Sequence, residues 1–290
     1  MPEPIVLGRQ VTVWSVLCSS MRQQSICTTL NDSSFLGAPS GGAIAFLVNA
    51  FYTSVIMQTI GTLFVVGTPI GNLEDVTLRA LRVLEECDVI FCEDTRVTKR
   101  LLDKYNITTR TTSLNARTEH AKVGSVVGAL TEGKKVGLVT DAGTPGVSDP
   151  GSVVVAKVRE RIPDVRIEAI PGPSALTTAL SIAGLPISDF VFLGFLPHKK
   201  GRQTLFREIK ESKRATIFYE SPHRIMKTLA SLAELFHDSG ELDKRSIVVA
   251  RELTKIYEEI VRGTAQEILK YFEENKEKQK GEFVVIVEGK

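Results

Sequence analysis

From Met57 onward, short apolar runs of strand length alternate with stretches whose apolar residues recur at helical spacing. Residues 62–67 (TLFVVG), 88–92 (DVIFC), 136–140 (VGLVT) and 166–170 read as strands. Between them, 75–87 predicts a helix capped by Asp75, with Val76, Leu78, Leu81, Val83 and Leu84 on its apolar face. Residues 98–104, 152–161 and 174–183 predict three more helices. A second series follows, with strands over 191–195, 216–219, 246–250 and 283–287 and helices over 201–212, 223–236 and 264–273. This alternation predicts an α/β fold with a mostly parallel sheet. Pro171-Gly172-Pro173 interrupts it, because neither residue type continues regular structure. The expected division is an N-terminal α/β domain over 57–172 and a C-terminal one over 173–290. The charge-rich stretch 275–282 reads as a solvated loop.

Residues 1–56 follow none of this. They hold four charged side chains, Glu3, Arg9, Arg22 and Asp32, and residues 33–73 hold none. A secretory signal would place basic residues first, but Glu3 precedes Arg9. The apolar stretch 41–57 is diluted by Asn49, Thr53 and Ser54 and falls short of the roughly 20 residues of a membrane span. The expectation is a poorly structured extension or an over-called start, with Met57 the natural first residue. A weak anchor and a cleaved signal are the alternatives.

The 290 residues carry 36 Lys+Arg against 34 Asp+Glu, a net charge of +2, which excludes a bulk polycation but not a local basic patch. Hydrophobic residues make up 43% and charged residues 24%, which excludes disordered and multi-span membrane classes. Four cysteines without a CxxC spacing point to reduced thiols in the cytoplasm. The four histidines, His120, His198, His223 and His237, lack the spacing of a zinc site, so no metal is expected.

In open α/β sheets ligands sit beyond the carboxyl ends of strands, so the loops after strands matter most. The first, GTPIGNLED at 67–75, is neither a dinucleotide fingerprint nor a phosphate-binding P-loop. A plain tight turn is its alternative reading. The next, TDAGTPGVSDPG at 140–151, is longer than a connector requires. Ala142 and Gly143 leave space for a flat ligand, and Asp141 and Asp149 can accept hydrogen bonds from ribose hydroxyls or an amine. Against that, Ser148 or Asp149 can simply cap the following helix. Pro171–Ala175 is a rigid turn leading into a helix N-terminus, which favours anions, or an ordinary hinge.

Taken in order, GTPIGNLED, EDTR, TDAGTPGVSDPG, PGPSAL, GFLP, FYESPHR and RELTK resemble the tetrapyrrole-methylase superfamily. More narrowly, they resemble its branch that 2′-O-methylates a cytidine ribose in bacterial 16S ribosomal RNA. The resemblance covers about residues 59–290, and residues 1–56 match nothing in it. Gly146-Val147 departs mildly from the bulkier pair usual there. The resemblance implies two α/β domains with S-adenosylmethionine (SAM) in the cleft between them, a homodimer, and a folded small ribosomal subunit as substrate. It places donor contacts at Thr68, Pro69, Gly71, Asp141, Ala142, Gly143, Pro171, Ser174 and Ala175, and cleft walls at Tyr219 and Glu220.

A 2′-hydroxyl is a weak acid, so a base beside it would help. Asp94, Glu220 and Lys255 are the leading candidates, with Glu93 and His223 behind them. Each has a duller role: Asp94 can pair with Arg96, Glu220 can cap a helix, and His223 can be solvated. A reaction without a base is a further option. Residues 198–214 hold seven Lys/Arg against Glu208 and Glu211, and a second basic cluster comprises Arg96, Lys99, Arg100, Lys104, Arg110 and Arg117. Candidates for RNA phosphates are Arg96, Lys199, Lys200, Arg202 and Arg224; the alternative is a solvated helix face. Phe195 can stack on a base or belong to the core. Two other functions compete, a tetrapyrrole C-methyltransferase and a non-catalytic RNA-binding protein.

Overall fold

The computed structural model describes residues 60–237 and 245–290. The expectations for residues 1–56 lie outside the described residues. No helix among the described residues is long and apolar enough to cross a membrane.

Among the described residues, ten strands and eight α-helices follow one another. The first sheet contains β1 (Thr62–Val66), β2 (Val89–Cys92), β3 (Thr111–Ser113), β4 (Lys135–Val139) and β5 (Arg166–Ile170). Their spatial order is β3-β2-β4-β1-β5, and every pairing is parallel. Alternation along β1 explains why helices cover both faces. Phe64 and Val66 pack with Ala80, Val83 and Leu84 of α1 (Leu78–Glu86) and Leu101 and Leu102 of α2 (Thr95–Lys104). Leu63 packs instead with Val126 and Leu130 of α3 (Glu119–Thr131) and Val154 and Val158 of α4 (Ser152–Arg161).

The second sheet contains β6 (Phe190–Phe195), β7 (Ala215–Glu220), β8 (Ile247–Arg251), β9 (Glu259–Gly263) and β10 (Phe283–Val287), in the order β6-β7-β10-β8-β9. Only β6 and β7 run parallel, and the other three pairings are antiparallel. The expectation of a mostly parallel sheet therefore applies to the first sheet alone. On one face, Phe218, Val249 and Val285 pack on α6 (Arg202–Glu211), α7 (Ile225–His237) and α8 (Ala265–Glu274). On the other, Ile217, Val248, Val284 and Ile286 meet Ala179 of α5 (Ala175–Ile182) and Ile70 from the loop after β1.

Several boundaries shift for local reasons. Thr77 caps α1, its Oγ1 accepting from Ala80 N at 3.1 Å, while Asp75 lies in a short 3₁₀ turn ahead of it. The second helix begins at Thr95 because Asp94 accepts from Arg96 N at 2.8 Å. At α8, Thr264 and Glu267 form the reciprocal bonds of a capping box. Residues 276–279, expected as loop, form a 3₁₀ turn.

Candidate functional site

The loops after β1, β4 and β5 meet the carboxyl ends of β7 and β8 and the start of β10 around a cavity of about 440 Å³. That is the size range of small-molecule sites. Its apolar lining includes Ile70, Ala142, Ala175, Leu253 and Val284. Five carboxylate residues line it as well: Glu93, Asp141, Asp149, Glu220 and Glu282.

The backbone of the first two loops is clamped. Thr68 N donates to Gly143 O at 2.9 Å and Gly143 N donates to Thr68 O at 3.1 Å. Thr68 Oγ1 adds a bond to Thr140 O at 3.1 Å. Gly143 has φ near 80°, a left-handed conformation that glycine adopts without strain. A β-carbon there would stand 3.5 Å from Ile70 Cγ2, an ordinary contact. Gly143 is thus required by its backbone angle rather than by crowding.

Of the donor contacts and cleft walls implied by resemblance, Asp141, Ala142, Gly143, Ser174, Ala175, Tyr219 and Glu220 line the cavity. Thr68, Pro69, Gly71 and Pro171 do not. Thr68 is buried in the clamp just described. Gly71 lets the first loop approach the loop after β8: a β-carbon there would fall 2.6 Å from both Lys255 Cγ and Thr254 Oγ1. The approach is sealed by Asn72 N donating to Thr254 Oγ1 at 3.0 Å.

The carboxylates differ in their commitments. Asp141 Oδ1 accepts from Asp94 N at 2.9 Å, and the Asp141 N–H donates back to the Glu93 carboxylate. Burial raises the pKa of both Glu93 and Asp141. Glu282 pairs with Lys255 Nζ at 3.0 Å. Asp149 is pushed up to about 6 by burial and by the charges of Glu93, Asp141 and Glu282. Among the described residues it makes no hydrogen bond.

Asp149 does not cap the helix behind it either. That role belongs to Glu119 on α3, whose Oε1 accepts from Gly151 N at 2.9 Å and Val154 N at 3.3 Å. Glu119 is buried, so Glu119→Ala would strand two amide N–H groups at the end of the cavity loop. We expect a loss of about 1–3 kcal/mol in urea unfolding. A change below about 0.5 kcal/mol would mean that water replaces the cap.

The three leading base candidates are all occupied elsewhere. The Arg96 side chain holds the Asp94 carboxyl down at about 2, leaving a weak base, and Asp94 lies outside the lining. Lys255 is bound to Glu252 at 2.9 Å and to Glu282; burial opposes its charge, but these bonds raise its pKa and keep it an ammonium. Glu220 is 1% exposed. Its carboxylate accepts from Ser221 N at 2.8 Å and Thr228 Oγ1 at 2.7 Å, pairs with Arg224 at 2.8 Å, and lies 3.9 Å from Arg202. His223 is exposed and lies outside the lining.

The same network corrects two RNA-contact expectations. Arg202 is buried, its guanidinium donating to Thr228 Oγ1 at 2.7 Å and lying over the Phe206 ring. Arg224 donates to Leu196 O at 2.6 Å as well as pairing with Glu220. Both guanidinium groups are turned inward and anchor the segment after β6. Arg96 is exposed but paired with Asp94. Lys199 and Lys200 are exposed on the β6–α6 loop and make no ion pair among the described residues. Just ahead of them Phe195 stands at the cavity mouth, 53% exposed and edge-on to Tyr219 at 5.5 Å. It belongs to the surface, not the core.

Sequence reasoning missed Glu282 and Glu119. Glu282 closed a charged run that read as solvent-facing; its position one residue before β10 was the available signal. Glu119 had none, because its helix was itself unpredicted.

Comparisons with known proteins bear on this geometry. The family described as "Tetrapyrrole (Corrin/Porphyrin) Methylases" matches residues 62–269. A ribosomal RNA small subunit methyltransferase I of Thermotoga maritima is 44% identical over 231 residues, covering 79% of this chain and 99% of that relative. Its namesake from Escherichia coli O157:H7 is 44% identical over 230 residues, 79% of this chain and 78% of the relative. Among solved structures, a cobalt precorrin-4 methyltransferase of cobalamin biosynthesis aligns with a TM-score of 0.57 at 20% identity, covering 78% of this chain and 94% of that one. A conserved hypothetical protein of Aeropyrum pernix K1 aligns with a TM-score of 0.62 at 18% identity, covering 80% and 85%. These two likenesses concern the fold.

Proposed function

We propose a reaction for this cleft from one premise: the chain belongs to the tetrapyrrole (corrin/porphyrin) methylase family, and its curated relatives are methyltransferases of the small-subunit ribosomal RNA. The protein is a methyltransferase that modifies ribosomal RNA. The donor is SAM, and the acceptor is the 2′-hydroxyl of a cytidine ribose in 16S RNA, presented by the small ribosomal subunit. The reading also carries a homodimer in the cytoplasm and a junction between the two α/β domains at residues 172–173.

One observation carries the donor assignment. Glu93, Asp141 and Glu282 line one cavity, and Lys255 is the cation bound to one of them, Glu282. Such a site favours a ligand with positive charge and repels phosphates and polycarboxylates. SAM carries a sulfonium and an ammonium, and Ile70, Ala142, Ala175, Leu253 and Val284 offer apolar surface to its adenine. A tetrapyrrole acceptor, with its several carboxylates, suits this lining poorly.

When bound, SAM supplies an already activated methyl group. The chain's own task is positioning in a near-attack geometry. The Thr68–Gly143 clamp fixes the turn that lines the cavity, and the Gly71–Thr254 approach ties the first loop to the second sheet. Phe195 at the mouth offers a face for a nucleobase. Lys199 and Lys200 beside it neutralise phosphates. Isothermal titration with SAM and with S-adenosylhomocysteine tests the donor assignment: saturable binding to both is expected, and no binding to either removes it.

A further inference from the structure

We propose that Asp149 is the proton acceptor for the ribose 2′-hydroxyl, a role resting on the methyl-transfer reading above. The geometry singles it out by elimination and by place. Asp141 and Glu93 accept backbone N–H bonds from one another's strand-end segments. Glu282 is paired with Lys255, and Glu220 is enclosed by Ser221, Arg224 and Thr228. Asp149 alone of the five carboxylates lining the cavity has no hydrogen bond or ion pair among the described residues.

Its place fits the acceptor rather than the donor. Asp149 follows Asp141–Thr144 in the same loop, two residues after Val147, which is 39% exposed, and lines the cavity with them. Asp149 acts electrostatically on Tyr219, whose ring meets Phe195 at the mouth. A nucleotide stacked at Phe195, with its phosphates toward Lys199 and Lys200, would bring its ribose to this carboxylate. The loop is held to deliver it there. Glu119 fixes its end at Gly151, and Ser148 Oγ lies against Gly194 of β6, 2.8 Å from where a β-carbon would stand. Gly146 N closes the turn on Pro150 O at 3.2 Å.

In the step itself, the 2′-oxygen forms a bond to the methyl carbon as the carbon–sulfur bond breaks and its electron pair returns to sulfur. The hydroxyl proton passes to an Asp149 carboxylate oxygen and leaves to water after release. The groups facing Asp149 are Glu93 after β2, Asp141 after β4, Glu282 before β10 and Tyr219 on β7. Burial, and after it the three carboxylates, hold its affinity for a proton above that of an ordinary aspartate.

The test is Asp149→Asn, which keeps the shape and removes the basic oxygen. Single-turnover methyl transfer to unmethylated small subunits should fall roughly 10²–10⁴-fold, the usual contribution of a positioned base. Affinity for S-adenosylhomocysteine by titration should stay within about twofold, and the melting curve should not move. The ratio of wild-type to variant rate should drop as pH falls through about 6, because only the wild type loses a base there. Equal rates, a ratio flat with pH, or a rate loss matched by lost donor affinity would overturn the assignment, the last by making Asp149 a donor anchor. If the variant fails to fold, the wild-type profile decides, and a rate flat from about pH 5 to 8 sinks the role. Wild-type transfer to the subunit is the control: its absence would count against the methyl-transfer reading itself, not against Asp149 alone.

Discussion

Glu220→Ala should destabilise the protein by about 3–5 kcal/mol, because removing one partner of a buried ion pair leaves the other uncompensated. Two guanidinium groups depend on this carboxylate, Arg224 at 2.8 Å and Arg202 at 3.9 Å, and both side chains are largely buried. Thr228 Oγ1 and Ser221 N lose their acceptor in the same step. Arg224 also holds Leu196 O and Arg202 holds Pro197 O, so the damage reaches the segment carrying Phe195, Lys199 and Lys200. Urea unfolding followed by circular dichroism reads the loss directly. A stability change below about 1 kcal/mol with a large loss of rate would restore Glu220 to the role of base.

Reversing the two free lysines, Lys199→Glu/Lys200→Glu, should weaken binding to the small subunit roughly tenfold, about 1.4 kcal/mol, while SAM affinity stays unchanged. Both side chains are exposed, four and five residues after Phe195 in the chain, and lie outside the cavity lining. The alanine pair gives the cleaner diagnostic. Each lost phosphate contact should flatten the log–log salt dependence of binding by about 0.7–0.9, so losing two should flatten it by about 1.4–1.8. An unchanged slope would reduce this loop to a solvated surface. Arg202 and Arg224, which a reading of charge along the chain groups with these lysines, should behave differently. Their substitution should show first in the melting curve, since both are spent inside the fold.

What the sequence made legible follows from how strongly each element marks itself. The central strands β1, β2, β4, β7, β8 and β10 are apolar runs, and reading them as strands agrees with the structure. Edge strands β3 and β9 escaped. Thr111–Ser113 is short and polar, and Glu259–Gly263 carries Glu259 and Arg262 on an exposed edge. Helix α3 escaped because Gly124 and Gly128 dilute its pattern, although Val123, Val126 and Leu130 are buried at helical spacing. The loops of the site were visible as unusual sequences after strands. What each of their residues does was not, because it depends on long-range partners. Asp94 and Glu220 are carboxylates just after or at the end of a strand in motifs of similar look, yet one caps a helix and the other neutralises buried arginines. Likewise, nothing near Asp149 in the chain reveals that Glu119, on another helix, relieves it of capping.

The most direct test of the central claim is methyl incorporation from labelled SAM into small ribosomal subunits of a strain lacking the modification, followed by mapping of the label. The account predicts label in 16S RNA at one cytidine, within a linkage that resists alkaline hydrolysis because its 2′-oxygen is blocked. Label on a base, label on a tetrapyrrole in place of RNA, or no transfer by a protein that binds SAM would contradict it.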